Sequence, residues 1–256
     1  TYPAKVDAFN LATEGKAEFA NWTNPLIAPK TLTQAEVNFF RRFAPLGSFC
    51  IDIGANIGDT TVPMALAVGA KGLTLGFEPN PLIFEILKVN ASLNKTKTNI
   101  IPLAYAVTEQ AGEFYYSSSE ASFGNGGISE NLEDAKRHGK YNLPNKITGI
   151  NLLAYLGENH PNELERLSLI KIDVEGRDLE VIRSVSELIR QRKPVVIAEC
   201  FTEATPAERA QLFQSMSDLG YSLSYFEDFT ENTPTQLLSA GDMNNWKNFN
   251  FYAVPK

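Results

Sequence analysis

The chain has 256 residues, which is enough for one substantial α/β domain and short for two independent cores. Its composition, 43% hydrophobic and 21% charged, is that of an ordinary soluble protein. The net charge of −7 argues against a nucleic-acid partner, whose phosphates are bound by clustered lysine and arginine side chains. Because the sequence has neither a run long and apolar enough to cross a membrane nor a secretory signal, we expect a cytoplasmic protein.

The first 47 residues are predicted to form a helical extension that packs against the main domain or covers it as a lid. Thr33 and Glu36 have the spacing of a capping box, and the apolar residues after them form one side of a helix before Pro45 ends it. The main domain is expected to occupy residues 48–256.

Strand and helix patterns alternate at the start of the main domain. Residues 48–53 and 73–78 have the continuous apolar character of buried parallel strands. A helical pattern follows each strand, at residues 59–68 and 81–93. Alternation of this kind predicts a parallel sheet with crossover helices.

Three further strands are predicted along the chain. Pro102 interrupts the apolar pattern of residues 99–107 and therefore places that strand at an edge of the sheet. Residues 167–172 and 195–200 are continuous apolar runs, as expected of central strands covered on both faces.

Glycines and an acid mark the ends of the first two strands. Gly54 and Gly58 remove side chains where the first strand turns into its helix, so that a ligand can lie against bare amides. Glu78, at the end of the second strand, can accept hydrogen bonds from both hydroxyls of a ribose. The dinucleotide fingerprint requires a glycine for the diphosphate where this chain has Asn56. The pattern therefore predicts a nucleoside cofactor without phosphate, a description that S-adenosylmethionine meets.

Five carboxylates lie at the carboxyl ends of predicted strands, where ligands of parallel sheets bind, and they are expected to converge on one rim of the sheet. Such convergence is unfavourable unless positive charge lies among the acids. The sulfonium of the cofactor, a lysine or a divalent ion such as Mg²⁺ can supply that charge. The five acids are Asp52, Glu78, Asp173, Glu175 and Glu199, and the lysine is Lys171.

Two of these acids lie where methyl transfer needs a base. An alcohol attacks a methyl group poorly until its proton is removed, so a carboxylate near the methyl group suits the reaction. Asp173 and Glu175 stand two residues apart as their strand ends. A structural alternative is that Asp173 caps the following helix and pairs with Lys171.

These motifs resemble those of the FkbM family of class I methyltransferases. The resemblance implies a Rossmann-like α/β fold, with a mostly parallel seven-stranded sheet and helices on both faces. The matching stretches, in the order that the family has them, are residues 52–61, 77–81, 102–112, 170–176 and 249–255.

The resemblance also implies an activity and its residues. The expected reaction is O-methylation of a sugar hydroxyl in a glycan, a glycolipid or a small natural product. Glu175 is then the base, and Asp173 and Glu199 are candidates for binding Mg²⁺ or the acceptor. Sugar O-methyltransferases that bind a metal through this motif have a second acid next to the position of Glu199, whereas this chain has Cys200 there. The expected cofactor contacts are Asp52, Gly54, Ala55, Asn56 and Gly58 at the methionine end, Glu78 at the ribose, and Pro79, Asn80, Ala106 and Val107 near the adenine.

A long polar segment, residues 117–145, lacks hydrophobic periodicity and is predicted to be a loop that folds over the acceptor. It contains His138, a second candidate base because an imidazole titrates near neutral pH. A solvated histidine is the structural alternative.

Other functions remain compatible with parts of the pattern. An NAD-linked oxidoreductase uses a similar sheet but requires the glycine that Asn56 replaces. A non-catalytic module would keep the cofactor fold without turnover. A nucleic-acid methyltransferase is opposed by the net charge and by the lack of an Asn/Asp-Pro-Pro-aromatic motif.

Overall fold

The computed structural model describes residues 2–124 and 126–256, apart from the side chain of His138. In chain order the strands are β1 (Ala4–Leu11), β2 (Gly15–Trp22), β3 (Phe49–Ile53), β4 (Leu73–Phe77), β5 (Ile100–Leu103), β6 (Ala106–Val107), β7 (Gly112–Ser118), β8 (Gly127–Ser129), β9 (Tyr141–Asn142), β10 (Ile147–Ile150), β11 (Leu167–Ile172), β12 (Val195–Cys200), β13 (Tyr221–Phe226), β14 (Thr235–Leu237) and β15 (Phe249–Pro255). The α-helices are α1 (Gln34–Arg41), α2 (Thr61–Val68), α3 (Pro81–Ser92), α4 (Leu132–His138), α5 (Leu152–Asn159), α6 (Asp178–Ser184), α7 (Ser186–Arg192) and α8 (Pro206–Asp218), and short 3₁₀ turns lie at Leu164–Arg166 and Ala240–Asn244.

Within the described residues the main sheet has eight strands, in the order β14-β13-β15-β12-β11-β3-β4-β5. Strands β12, β11, β3, β4 and β5 pair in parallel, whereas β15, β13 and β14 join antiparallel. The expectation of seven strands is therefore wrong, and the antiparallel part of the sheet is larger than a mostly parallel sheet implies. Strand β14, at one edge of the sheet, has three exposed residues and thus no hydrophobic pattern that could predict it.

Helices cover both faces of the main sheet, as expected. Alternate residues of β3 point to opposite faces, so Phe49, Ile51 and Ile53 pack with α5 to α8, while Cys50 packs with α1 to α3. The proline-containing strand β5 forms one edge, which confirms its predicted position. The active centre is expected beyond the carboxyl ends of the parallel strands, between these two layers.

The N-terminal extension is a β-hairpin followed by a helix, which corrects the purely helical prediction. Strands β1 and β2 pair along their whole length, and Gly15, with φ of 68°, begins the second strand. The predicted capping box of α1 is present, since Thr33 and Glu36 bond to each other's backbone amides. The hairpin is bound to α3 through Asn90, whose side chain bonds both the amide and the carbonyl of Ala20 (2.7 and 2.9 Å).

Strands β6 to β10 form a second, smaller sheet in the order β6-β10-β7-β8, with β9 beside β7. The expectation of a structureless loop at 117–145 is therefore wrong. The small sheet has its own core of Phe114, Tyr116 and Ile147, and the Asn131 side chain caps α4 by accepting the amide of Asp134. Strands of two or three residues carry too little periodicity to be recognised in a sequence.

Candidate active site

The first glycine loop connects β3 to α2 at the carboxyl end of the sheet. Gly54 and Gly58 both have positive φ, 78° and 99°. A Cβ on Gly54 would lie 1.8 Å from the carbonyl oxygen of Asp173, and one on Gly58 would lie 3.1 Å from Leu87. The missing side chains therefore make room for the neighbouring strand end and helix, because L side chains fit neither the conformation nor the space.

The amides of this loop already donate hydrogen bonds within the protein, so they are not bare as the sequence interpretation held. A diphosphate is normally bound by several amides at such a turn. With these amides engaged, the loop fits a cofactor without phosphate. The bonds run from Gly54 and Ala55 to the carbonyl of Phe77 (3.0 and 2.9 Å), from Asn56 to the carboxylate of Glu78 (3.0 Å), from Ile57 to the side chain of Asn56 (2.8 Å) and from Gly58 to the carbonyl of Ala55 (2.8 Å).

Glu78 lies at the end of β4 and is 6% exposed. One carboxylate oxygen accepts the amide of Asn56 at 3.0 Å, and the other accepts the amide of Asn80 at 2.8 Å. A carboxylate has about four acceptor positions, so two remain for the hydroxyls of a ribose. Burial raises the pKa of Glu78 to about 7.

Asp52 lies beneath the cleft in a buried polar network. Its carboxylate accepts the hydroxyls of Thr60 (2.9 Å) and Thr61 (2.6 Å) and lies 3.3 Å from the ammonium of Lys171. The same ammonium lies 3.2 Å from Asp173. Lys171 therefore links the cofactor loop to the end of β11, and the predicted pairing of Lys171 with Asp173 is confirmed.

The ends of β11 and β12 form the end of the cleft where the sequence analysis expects the acceptor. Glu175 has φ of 53° and precedes Gly176, with φ of 90°, so the chain turns sharply here. A non-glycine residue in this region is uncommon and marks a functional candidate. Glu199 accepts a hydrogen bond from the side chain of Asn248 at 2.8 Å. Asp173 does not cap the next helix, because the N-cap of α6 is Arg177.

Glu175 faces several like charges. Burial is the largest cause that raises its pKa to about 7, followed by the charges of Asp173, Glu199 and Glu120, while Lys171 opposes the shift. Burial and the charge of Asp173 also raise the pKa of Glu199. The carboxylates of this end therefore disfavour one another's ionised form, which a cation in the cleft would relieve.

Asp178 is a positioning residue that the sequence analysis missed. It is 2% exposed and accepts the amide of Glu199 at 3.3 Å. It thus joins the start of α6 to the chain segment that carries Glu199. Burial, followed by the charge of Asp173, raises its pKa well above the ordinary value. An aspartate in the first turn of a helix is common, so its sequence carries no special signal.

These elements enclose a cleft of about 870 Å³, a volume typical of ligand sites. Asp52, Ala55, Gly58 and Asn80 lie behind its walls, and the side chain of His138 is outside the described residues. The cleft also involves residues that the sequence did not indicate, including Lys30, Tyr105 and Arg177. The predicted residues that line it are Gly54, Asn56, Glu78, Pro79, Ala106, Val107, Asp173, Glu175 and Glu199.

Three asparagines tether the small sheet to the end of the cleft that contains Glu78. The side-chain amides of Asn24, Asn80 and Asn56 each donate at 3.0 Å to the successive carbonyls of residues 122–124. The asparagines come from the N-terminal extension, the end of β4 and the glycine loop. Segments distant in sequence therefore meet here, and no local pattern could have predicted it.

The carboxylates do not form a recognisable metal centre. Within the described part of the chain, no three His, Cys, Asp or Glu side chains are grouped to hold an ion. Asp173 lies against Lys171, and Glu199 against Asn248. The Mg²⁺ expectation stays a prediction, and the chemistry proposed below does not depend on it.

Comparison with known proteins agrees with this geometry. The model of the methyltransferase FkbM domain family matches residues 52–223, two thirds of the chain. The protein belongs to the FkbM methyltransferase family. It is therefore an S-adenosylmethionine-dependent enzyme, and the alternatives of an NAD-linked oxidoreductase and a non-catalytic module are set aside.

Curated relatives are methyltransferases as well. Methyltransferase sdnD of Sordaria araneosa is 26% identical over 211 residues, which cover 75% of this chain and 80% of the relative. Hexuronic acid methyltransferase AglP of Haloferax volcanii is 27% identical over 161 residues, covering 63% of this chain and 59% of the relative.

Among solved structures, methyltransferase FkbM of Methylobacillus flagellatus aligns with a TM-score of 0.46 and 10% identity, over 86% of this chain and 51% of that one. An O-methyltransferase of Bacillus cereus in complex with SAH aligns with a TM-score of 0.45 and 10% identity, over 91% and 86%. Separately, none of the helices that the structure describes combines the length and apolarity needed to span a bilayer.

Proposed function

We propose that the enzyme methylates a hydroxyl oxygen of a sugar, with Glu175 as the general base. The observation that carries the proposal is the position of Glu175. Glu175 lines the cleft just beyond the end of β11, and burial raises its pKa to about 7, where a base is most effective at neutral pH. The name of the relative AglP, a hexuronic acid methyltransferase, supports a carbohydrate acceptor.

S-adenosylmethionine, when bound, supplies a methyl group on positively charged sulfur. Glu175 receives the acceptor's hydroxyl proton as the new carbon–oxygen bond forms and the carbon–sulfur bond breaks. The products are a methyl ether, S-adenosylhomocysteine and a protonated Glu175, which then releases its proton to solvent. Lys171 holds Asp173 beside this centre, and Asp178 fixes the backbone from which Glu199 projects.

The cofactor residues have separate roles in this proposal. Glu78 binds the ribose through the acceptor positions that its two backbone bonds leave open. Pro79, Ala106 and Val107 form the wall beside the adenine, and Asn80 holds residue 123 over it. Asp52, Gly54, Ala55, Asn56 and Gly58 shape the turn at the methionine end.

Replacing Glu175 with glutamine tests the base. Glu175→Gln keeps the shape of the side chain and removes its basicity, so turnover should fall by roughly two to four orders of magnitude. The affinity for S-adenosylhomocysteine, measured by calorimetry, should change by no more than a few-fold. Glu187→Gln removes an exposed carboxylate on α7 and serves as the matched control.

Near-normal turnover of Glu175→Gln at saturating acceptor would show that Glu175 is not the base. His138 would then be the next residue to replace, by glutamine and with the same two measurements. Transfer of a labelled methyl group from S-adenosylmethionine to a sugar oxygen, located by mass spectrometry, tests the reaction itself.

A further inference from the structure

The charges that line the cleft are unbalanced. Carboxylates outnumber cationic side chains there, and each lining cation that the structure describes already has a partner. Lys30 pairs with Asp59 at 2.8 Å. Lys171 is shared by Asp52 and Asp173, Arg177 pairs with Glu180, and Arg183 donates to Gln211. The acids that line the cleft are Glu36, Asp59, Glu78, Glu109, Glu130, Asp173, Glu175, Glu180 and Glu199.

The imbalance is concentrated where the acceptor must bind. Asp173, Glu175 and Glu199 act on one another electrostatically, and Lys171 acts on both glutamates in the opposite sense. That ammonium lies below the cleft and is divided between Asp173 and Asp52. The sulfonium of the cofactor offsets one negative charge, so an excess of negative charge faces the acceptor.

The three acids differ in how free they are to bind a substrate group. Asp173 is held by Lys171, and Glu175 is assigned to the proton of the reacting hydroxyl. Glu199 is half-buried, lines the same cleft, and has one oxygen engaged by the exposed Asn248. Its other oxygen retains acceptor capacity. Glu199 is therefore the acid placed to recognise a substituent of the acceptor.

We infer that the acceptor carries a protonated amine near the methylated hydroxyl and that Glu199 binds this ammonium. This inference rests on the proposed sugar O-methylation and narrows the substrate class to amino sugars. An ammonium donates charge-assisted hydrogen bonds to a carboxylate, and these are stronger than bonds from a neutral hydroxyl. A carboxylate or phosphate on the acceptor would instead meet like charge in a partly buried site, which is unfavourable.

Matched acceptors test the inference. The probes are methyl glycosides of glucosamine, galactosamine and mannosamine, each compared with the glycoside that has a hydroxyl in place of the amine and with the corresponding uronate. Binding to the enzyme with S-adenosylhomocysteine is measured by calorimetry, and methyl transfer is measured with labelled S-adenosylmethionine. For at least one sugar, the amine should bind about tenfold or more tightly than its hydroxyl partner, because ion-assisted bonds exceed 1.4 kcal/mol. The uronate should bind most weakly.

Glu199→Gln tests the residue. Glutamine can still accept the bond from Asn248, so the fold is preserved while the charge is removed. The preference for the amine should fall by about fivefold or more, with the affinity for S-adenosylhomocysteine unchanged. Glu109→Gln, an exposed acid on the rim of the same cleft, is the control and should keep the preference.

The outcomes separate this inference from the proposed function. Any one of three results would overturn the inference. These are the absence of a preference for the amine in every set of sugars, undetectable binding of all the amines, and an unchanged preference in Glu199→Gln. Methyl transfer to the neutral sugars with no amine preference would leave the proposed function intact. Amine binding that depends on Glu199 without transfer to any sugar oxygen would contradict the proposed function instead.

Discussion

The two ends of the cleft are built on opposite principles. At the proposed cofactor end, the loop amides of residues 54–58, both oxygens of Glu78 and the carboxylate of Asp52 all have partners inside the protein. At the proposed acceptor end, several carboxylates lie near one shared lysine, Lys171. The first end is organised before any ligand arrives, whereas the second holds electrostatic repulsion that positively charged ligands relieve.

Removing Lys171 should give the largest effect, because its ammonium serves both ends. The side chain is 4% exposed, and its partner Asp52 is fully buried. Lys171→Met leaves a buried carboxylate without its cation, which typically costs about 3–5 kcal/mol of unfolding free energy. Denaturant unfolding measures the loss, and the double variant Lys171→Met/Asp52→Asn should recover part of it.

A surface pair provides the control for Lys171. Lys30 pairs with Asp59 at 2.8 Å but is half exposed, so Lys30→Met should cost only about 0–1 kcal/mol. If Lys171→Met were no more destabilising than Lys30→Met, the buried network would not join the two ends as described.

The next effect concerns ligand binding at the organised end. A ligand at a hundredfold excess over its Kd stabilises a protein by about 2.7 kcal/mol. We expect S-adenosylhomocysteine to raise the melting temperature and NAD to leave it unchanged, because the loop has no free cradle for a diphosphate. Glu78→Ala should remove most of this shift, and Glu85→Ala, an exposed acid on α3, should retain it. A larger shift with NAD would contradict the assignment of the cofactor end.

The organised end was largely predictable from the sequence because its residues are close together along the chain. Strands β3, β4, β11 and β12 begin and end within one residue of their predicted limits, since continuous apolar runs mark buried parallel strands. The glycine loop and Glu78 follow those strands directly. Even there, the sequence could not show that the amides are already engaged.

The remaining features depend on contacts between distant segments. The hairpin β1–β2 was missed although Gly15 interrupts two strand-like runs, a recognised hairpin signal. The role of Asp178 appears only when the start of α6 and the end of β12 are seen together. The tethers at residues 122–124 likewise require three separate parts of the chain.

The burial of Glu78 and Glu175, and for Glu175 also the repulsion from neighbouring acids, should appear in the pH dependence of stability. The pKa values of Glu78 and Glu175 are both raised to about 7, so the folded protein keeps protons that the unfolded chain releases above about pH 4.5. Their contribution to stability is therefore present below pH 4.5 and is lost as the pH rises through 7. Glu175→Gln removes one of these groups and should make the decline shallower than in the parent protein.

Denaturant titrations test this expectation by measuring the unfolding free energy at about pH 4.5, 5.5, 6.5 and 7.5. These values span roughly the window set by the pKa values of the two glutamates. Glu85→Gln controls for the loss of one exposed carboxylate. A steeper decline in Glu175→Gln than in the parent would mean that Glu175 is ionised in the folded protein and stabilised by its surroundings.

The smallest effect is expected where the small sheet meets the organised end. Asn24 donates one neutral hydrogen bond to the carbonyl of Ser122, and such a bond contributes about 0.5–1.5 kcal/mol. Asn24→Ala should therefore raise hydrogen-exchange rates in the peptide that contains residues 119–124 by up to roughly tenfold, through easier local opening. Peptides from β3 and β4 should exchange as before.

Adding S-adenosylhomocysteine should slow exchange in the peptide that contains residues 119–124, because Asn56 and Asn80 still hold it beside Glu78. Unaltered exchange in Asn24→Ala, with or without S-adenosylhomocysteine, would show that the small sheet is held at the cofactor end by its other contacts and that this tether is dispensable.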